Sequence, residues 1–326
     1  MTVEQMMAIF PARRALVVGD ICLDRWCTYD PAEAEPSRET GIPRIAVVST
    51  ELTPGAGGTI ANNLASLDVG GVSVLGVIGE DGAGWDLKQA LKARGISHDL
   101  CVSDPGVATF TYTKLINATN GEEDRPRVDF VNKRPMPESA EQRVLRNLRN
   151  AAPNFDVILV SDQAETEAGG VVTPAVREVI TALATRHQEK VIWVDSRRRP
   201  EHFRKVIMKP NEDEATAACK RAFGEVNFEK LWKQIGGPWM VVTHAERGAL
   251  VVGSRMTWIP PAKAIAKPVD ICGAGDSFSA GAAVAYSITG DIEMAARFGN
   301  LVASVTIMKK GTGTASPAEV LRALRA

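Results

Sequence analysis

Short β-rich runs that each end on a polar residue recur through the chain: ALVVGDICLD (15–24), VILVSD (157–162), KVIWVD (190–195) and WMVVTH (239–244). They are apolar at successive positions rather than alternate ones, so a strand built from them has no face to offer water. Helical patterns such as TPAVREVITALATRH (173–187) lie between them. Strands alternating with helices require a mainly parallel sheet covered on both faces, an α/β fold. In such sheets ligands gather beyond the carboxyl ends of the strands, where Asp20, Asp162, Asp195 and Thr243 fall.

Other stretches fit the same frame. VSVLGVIG (72–79) reads as a further buried strand, TIANNLASLDV (59–69) as a helix, and GWDLKQALKARGI (84–96) as an amphipathic helix stopped by Gly95. Residues 26–58 are rich in Pro and Thr and hold one β-like run, IAVVST, more a flap than a core element. ATFTYTKLINAT (108–119) alternates like an antiparallel strand, with VDFVN (128–132) as its partner. The expectation is one α/β domain over 1–326 with a small β lid from about 22–52 and 108–132. A net charge of −1 points away from nucleic acid and membrane surfaces as partners. No apolar run reaches the roughly 18 residues of a spanning helix, and MTVEQMMAIFPARR lacks a signal-peptide layout, so a cytoplasmic protein is expected. The 5 cysteines are odd in number and scattered, without CxxC, which argues against a disulfide framework or a structural zinc.

Chemistry concentrates in a few places. DICGAGDSF (270–278) sets a glycine turn and Asp276 at the start of an apolar helix. Inward-pointing N–H groups and the helix dipole make such a turn an anion site. Asp276 or Ser277 could equally cap the helix. A carboxylate beside an anion hole can also take the proton of an alcohol attacking a phosphoryl group. TPGAGGTIANN (53–63) is a second glycine cluster at a helix start, yet neither GxGxxG nor GxxxxGK[ST] occurs. KPNEDEA (209–215) puts Asn211 and Glu214 on one helical face, either a capped acidic start or part of a metal site. VVTHAERGALVV (241–252) reads as a hairpin turning at Gly248.

Together these stretches resemble the ribokinase-like (PfkB) family of carbohydrate kinases along essentially the whole chain. The motifs are G-D-x-x-x-D (Gly19, Asp20, Asp24), G-G-x-x-x-N (Gly57, Gly58, Asn62), N-x-x-E (Asn211, Glu214), T-x-x-x-x-G (Thr243, Gly248) and D-x-x-G-A-G-D (Asp270 to Asp276). The resemblance implies a three-layer α/β/α kinase with a β lid, using ATP and Mg²⁺. It makes Asp276 the catalytic base and the N–H groups of Gly273, Ala274 and Gly275 an anion hole. Asp24, Gly57, Gly58, Asn62 and Asp162 would hold the substrate. Asn211 and Glu214 would organise phosphates and the Mg²⁺ water shell, Thr243, Gly248 and Asn300 would line the nucleotide pocket, and Asp270 would stand where many relatives hold a monovalent cation such as K⁺.

GDICLDRW, PSRETGIPRIAVV, ELTPGAGGTIANNLASL, TFTYTKL and RVDF carry a narrower resemblance, to the branch that phosphorylates heptose 7-phosphate at its anomeric hydroxyl. A phosphorylated substrate calls for cations away from the catalytic centre, and Arg38, Arg44, Lys114 and Arg127 are candidates. The chain departs from that branch at 161–170, where SDQAETEAGG stands in place of D-Y-x-K-G, and at Cys272, where threonine is usual. It ends soon after the last motif, so no nucleotidyltransferase domain is expected. Alternatives are a ribose-, fructose- or nucleoside-type kinase, or a silent sugar- or nucleotide-binding sensor. A homodimer paired through the lid is expected, since exposed strand edges need covering.

Overall fold

The computed structural model describes residues 1–166, 168–263, 265 and 267–325. Its main sheet runs in the order Met256–Ile259, Ala249–Val252, Met240–Thr243, Ile207–Met208, Val191–Ser196, Val157–Asp162, Arg14–Gly19, Gly71–Leu75. All pairs are parallel except those of the hairpin Met240–Thr243/Ala249–Val252 and its neighbour Met256–Ile259. The continuous apolar runs feed two cores at once. Val17, Leu159 and Trp193 pack with the helices Gly57–Ser66, Gly82–Lys92, Ala274–Thr289 and Ile292–Thr306. Leu16, Val18, Ile158, Val160, Ile192 and Val194 pack with Glu138–Ala151, Pro174–Arg186, Glu212–Phe223 and Phe228–Ile235. A strand alternates its side chains between faces, so an unbroken apolar run is what two helical layers demand.

Two of the expected strands prove to be junctions. The run 15–24 leaves the main sheet at Gly19 and continues as Ile21–Tyr29 in a second, smaller sheet. Gly19 has φ +130°, and a Cβ there would sit 2.1 Å from the Ser161 carbonyl oxygen, so only glycine passes. VSVLGVIG likewise splits at Gly76, with Val77–Gly79 pairing with Val102–Asp104 instead of the main sheet. The smaller sheet has the order Val47–Ala56, Ile21–Tyr29, Thr111–Asn117, Val128–Phe130. On it Val47, Val48, Val128 and Phe130 are exposed.

Helix Ala274–Thr289 carries the GAGD turn and is held hard against the core. Phe278 is buried with its ring centroid 6.5 Å from that of Trp193. A Cβ on Gly281 would come within 2.8 Å of Val302, so the helix lies close on Ile292–Thr306. Packing of this kind removes the freedom of the first turn, two residues before Phe278.

Candidate active site

The helix begins at Ala274 on Gly273, which sits in the left-handed region at φ +76° and offers no side-chain cap. Asp276 is therefore the third helical residue and not the cap. Among the first N–H groups, that of Ala274 already donates to the Ile271 carbonyl at 3.2 Å. The anion hole expected from Gly273, Ala274 and Gly275 thus lacks its middle donor in this conformation. Asp276 lines two cavities, one of about 400 Å³ and one of about 150 Å³. Gln163, Arg197 and Gly273 are the other residues common to both. Burial, reinforced by Asp195 and Asp24 and opposed by Lys209 and Arg197, pushes the Asp276 carboxyl up to about 8.

The larger cavity collects Asn211, Glu214, Thr243, Gly248 and Asn300 beside the helix start. Asn211 and Glu214 form a reciprocal cap on helix Glu212–Phe223, each backbone N–H reaching the other's side chain at 2.8 Å. The pair thus caps the helix, and both residues also line the cavity. Burial and then Asp195 raise the Glu214 carboxyl. Gly248 (φ +99°) lets the hairpin turn where a Cβ would strike the Ile259 carbonyl oxygen at 2.2 Å. Asn300 is held by donation to the Pro260 carbonyl at 2.9 Å. Beneath them Lys209 and Asp195 make a buried ion pair at 2.9 Å. Burial works against the Lys209 charge, but Asp195, Glu214 and Asp276 outweigh it and hold its pKa above the ordinary range.

The smaller cavity is lined by Asp24, Lys114, Arg127, Trp26, Tyr112 and Cys272, among others. Burial raises Asp24 to about 6, against the opposing effects of the Cys22 thiol, which donates at 3.5 Å, and of Lys114 and Arg127. Lys114 lies 4.5 Å over the Trp26 ring and pairs with Glu123 at 3.3 Å. Arg127 lies 4.8 Å over Tyr112 and pairs with Asp129 at 2.7 Å. Arg38 and Arg44, expected here too, are exposed and line neither cavity, and Arg44 pairs with Glu35.

Several expected substrate contacts stand elsewhere. Asp162 is fully buried and lines neither cavity, because Arg199 clamps it at 2.8 and 3.2 Å and Ser196 donates to it at 2.6 Å. Gly57 and Gly58 lie inside the first turn of their helix, where a Cβ would meet the Asp20 carbonyl oxygen at 3.0 Å or Pro54 at 2.6 Å. They serve close packing. Asn62 is buried behind them, donating to the Pro54 carbonyl at 3.3 Å while its Oδ1 has no partner. Asp270 clamps two loops, accepting from the Cys272 N–H at 2.9 Å and the Gly311 N–H at 3.1 Å.

Gln163, Arg197, Lys209 and Asp195 were not assigned site roles from sequence. The strand-end rule marks Asp195, and the polar residues just past strand ends, Gln163 after Val157–Asp162, Arg197 after Val191–Ser196 and Lys209 after Ile207–Met208, are the signal available for the rest. Gln163 belongs to a loop held by Asp20, whose carboxylate accepts from the N–H groups of Gln163, Ala164 and Val171, each at 2.8 Å.

An acid at a helix start without a side-chain cap is thus shared by two cavities at the carboxyl ends of a parallel sheet. The pfkB family carbohydrate kinase model matches residues 14–319, and the chain belongs to that family, a carbohydrate kinase. The chain is 30% identical to the "Bifunctional protein HldE" of Trichlorobacter lovleyi over 332 residues, covering 99% of this chain and 65% of that protein. The protein of the same name from Geobacter sulfurreducens is 30% identical over 333 residues with the same coverage. The chain thus spans about 65% of the length of these curated relatives. The Thermotoga maritima ribokinase structure has a TM-score of 0.71 at 21% identity, covering 96% of this chain and 100% of that one. Phosphofructokinase-2 from Escherichia coli, in complex with potassium, has a TM-score of 0.69 at 18% identity, covering 96% and 98%. These two show the fold.

Proposed function

We propose that the chain transfers the γ-phosphoryl group of ATP to a hydroxyl of a sugar phosphate, with heptose 7-phosphate at its anomeric hydroxyl as the acceptor. The observation that carries this is Asp276, an acid reached from both cavities at a helix start without a side-chain cap. ATP occupies the larger cavity, with Thr243, Gly248 and Asn300 beside the nucleotide and Asn211 toward the phosphates. The sugar occupies the smaller one, with Asp24 on its hydroxyls and Lys114 and Arg127 on its standing phosphate. The unpartnered Oγ1 of Thr312, which lines the smaller cavity, suits a ligand rich in hydroxyl groups. Asp276 takes the hydroxyl proton, and its raised pKa brings it close to the operating pH of a general base.

The carboxylates Glu214, Asp195 and Asp276 of the larger cavity face two cations, Lys209 and Arg197, and no three metal-ligating side chains gather among the described residues, a donor set that suits a largely hydrated Mg²⁺ on the phosphates rather than a protein cage. Glu214 would hold it through water, and when bound it would neutralise phosphate charge. A monovalent cation at Asp270 does not fit as well. Both Asp270 oxygens carry an N–H, and the Gly311, Gly313 and Thr314 carbonyls already accept hydrogen bonds, so no step is derived through such an ion. Among the described residues no helix is long and apolar enough to cross a membrane. A cytoplasmic homodimer, paired through the exposed apolar positions of the smaller sheet, completes the reading.

Coupled ADP release with heptose 7-phosphate, ribose, fructose, fructose 6-phosphate and adenosine tests it. Heptose 7-phosphate should be the best acceptor, and Lys114→Ala or Arg127→Ala should raise its KM about 10- to 100-fold, the worth of a charge-assisted contact. Faster turnover of an unphosphorylated sugar would overturn the substrate assignment. Silence across the panel would point to a sensor.

A further inference from the structure

The residues shared by the two cavities are one acid, one amide, one glycine and one cation. That cation is Arg197. We propose that Arg197 is a catalytic residue, whose guanidinium contacts the phosphoryl group as it crosses from the nucleotide cavity to the acceptor cavity. The assignment rests on the kinase reading above.

The neighbouring cations are otherwise engaged. Lys209 lines only the larger cavity and is buried in its pair with Asp195. Lys114 and Arg127 line only the smaller one. Arg197 stands in the run Arg197-Arg198-Arg199, directly after the strand Val191–Ser196, and the three side chains divide the work. Arg199 holds Asp162 and the Ala164 and Thr166 carbonyls, and Arg198 donates to the Glu165 carbonyl at 2.5 Å. Both are ties to the adjoining loop. Among the described residues Arg197 instead makes a single side-chain contact, with the Glu165 carboxylate at 2.6 Å, and its side chain is 45% exposed. An exposed ion pair of this kind is worth about 1 kcal/mol or less, so a phosphate oxygen competes for the guanidinium easily. A planar fork also matches two phosphoryl oxygens at once.

The electrostatics agree with this position. Burial dominates the raised Asp276 carboxyl, and Arg197 opposes it; Arg197 acts in the same sense on Glu214. The side chain is thus electrically coupled to the base and to the acid near the phosphates. In the transfer, the acceptor oxygen bonds to the γ-phosphorus and the bond from that phosphorus to the β–γ bridging oxygen breaks. The hydroxyl proton passes to Asp276, ADP leaves with the bond pair, and Arg197 neutralises the charge on the equatorial oxygens without forming a bond. The helix start lacks the Ala274 N–H in this conformation, so a mobile side-chain donor has a place to fill.

The test uses the whole chain, with Arg197→Ala, Arg197→Lys and Asp276→Asn beside the wild type. Binding is measured by calorimetry with ADP–Mg²⁺ alone and with aluminium fluoride, which mimics the phosphoryl group in flight. Turnover is followed with ATP and heptose 7-phosphate. Arg197→Ala should bind ADP within about twofold of wild type, lose the aluminium-fluoride tightening, and drop kcat about 100- to 1,000-fold. Arg197→Lys should recover about tenfold of that loss, since it keeps the charge but not the fork. Melting temperatures close to wild type would show that both variants fold. Wild-type kcat in Arg197→Ala while Asp276→Asn is dead would overturn the role of Arg197 and leave the kinase reading standing. So would a rise confined to the KM for the sugar phosphate. A wild type with neither turnover nor aluminium-fluoride tightening would remove both together.

Discussion

Asp276→Asn should stabilise the protein as it abolishes turnover. Burial, with Asp195 and Asp24, lifts this carboxyl from 3.8 to about 8. Between those values the folded state holds a proton that the unfolded chain has released. Stability therefore falls as pH rises through that window, contributes nothing below it, and bears the full penalty above about pH 8. At pH 7 the limit is about 4 kcal/mol, from 1.36 kcal/mol for each pH interval above the unfolded value. Water in the cleft screens the charge, which brings the expected effect to about 1–2 kcal/mol. Asparagine cannot ionise, so the variant escapes the penalty. Asp20 and Asp24, both raised to about 6, tilt stability the same way, but they are common to both proteins and cancel in the difference. Thermal melts of wild type and Asp276→Asn at pH 4.5 and pH 8 provide the measurement. The curves should differ by less than about 1 °C at the lower pH, where the unscreened limit is only about 1 kcal/mol, and the variant should melt about 2–5 °C higher at the upper one. A variant that melts lower at pH 8, or a gap that does not depend on pH, would refute the reasoning.

Two further outcomes follow from neighbouring residues. Lys209→Met leaves Asp195 charged and alone in the interior, and urea unfolding should report a loss of about 3–5 kcal/mol, opposite in sign to Asp276→Asn; a change under about 1 kcal/mol would contradict a buried pair. Gly273→Ala places a Cβ at φ +76° and 3.0 Å from the Thr59 methyl, which should cost about 1–2 kcal/mol of stability and displace the helix start, lowering kcat more than ADP binding.

Much of the main sheet was legible because burial on both faces writes continuous apolar runs, and the strands at 157–162 and 191–196 fall where those runs do. The breaks at Gly19 and Gly76 were not legible. Each depends on a contact with a distant backbone, the Ser161 carbonyl or the Gly19 carbonyl, that a local pattern does not contain. The site divides the same way. Asp276, Asn211 and Glu214 stand in motifs whose spacing reflects a helix start, and all three reach the larger cavity. Asp162 misled because an acid at a strand end reads identically whether it faces a ligand or an arginine, and Arg199 is 37 residues away. Arg197 went unread for the converse reason. In a run of three arginines nothing local distinguishes the one that faces the cavities from the two that tie down a loop.

The loop beginning at Gln163 is gripped mainly by its peptide groups, with the Glu165 carboxylate and the Thr166 hydroxyl as its side-chain ties. Asp20 takes three of its N–H groups, while Arg198 and Arg199 take the carbonyls of Ala164, Glu165 and Thr166. Anchors that read only the main chain are indifferent to which side chains are mounted on it. The side chains free of those ties are few: Gly169 has no room for a Cβ, which would sit 1.7 Å from the Asn132 carbonyl oxygen, and Ala164 and Val171 are buried. Gln163, which lines both cavities, is thus the position at which the loop can change what the cavities present while its main-chain clasp stays in place.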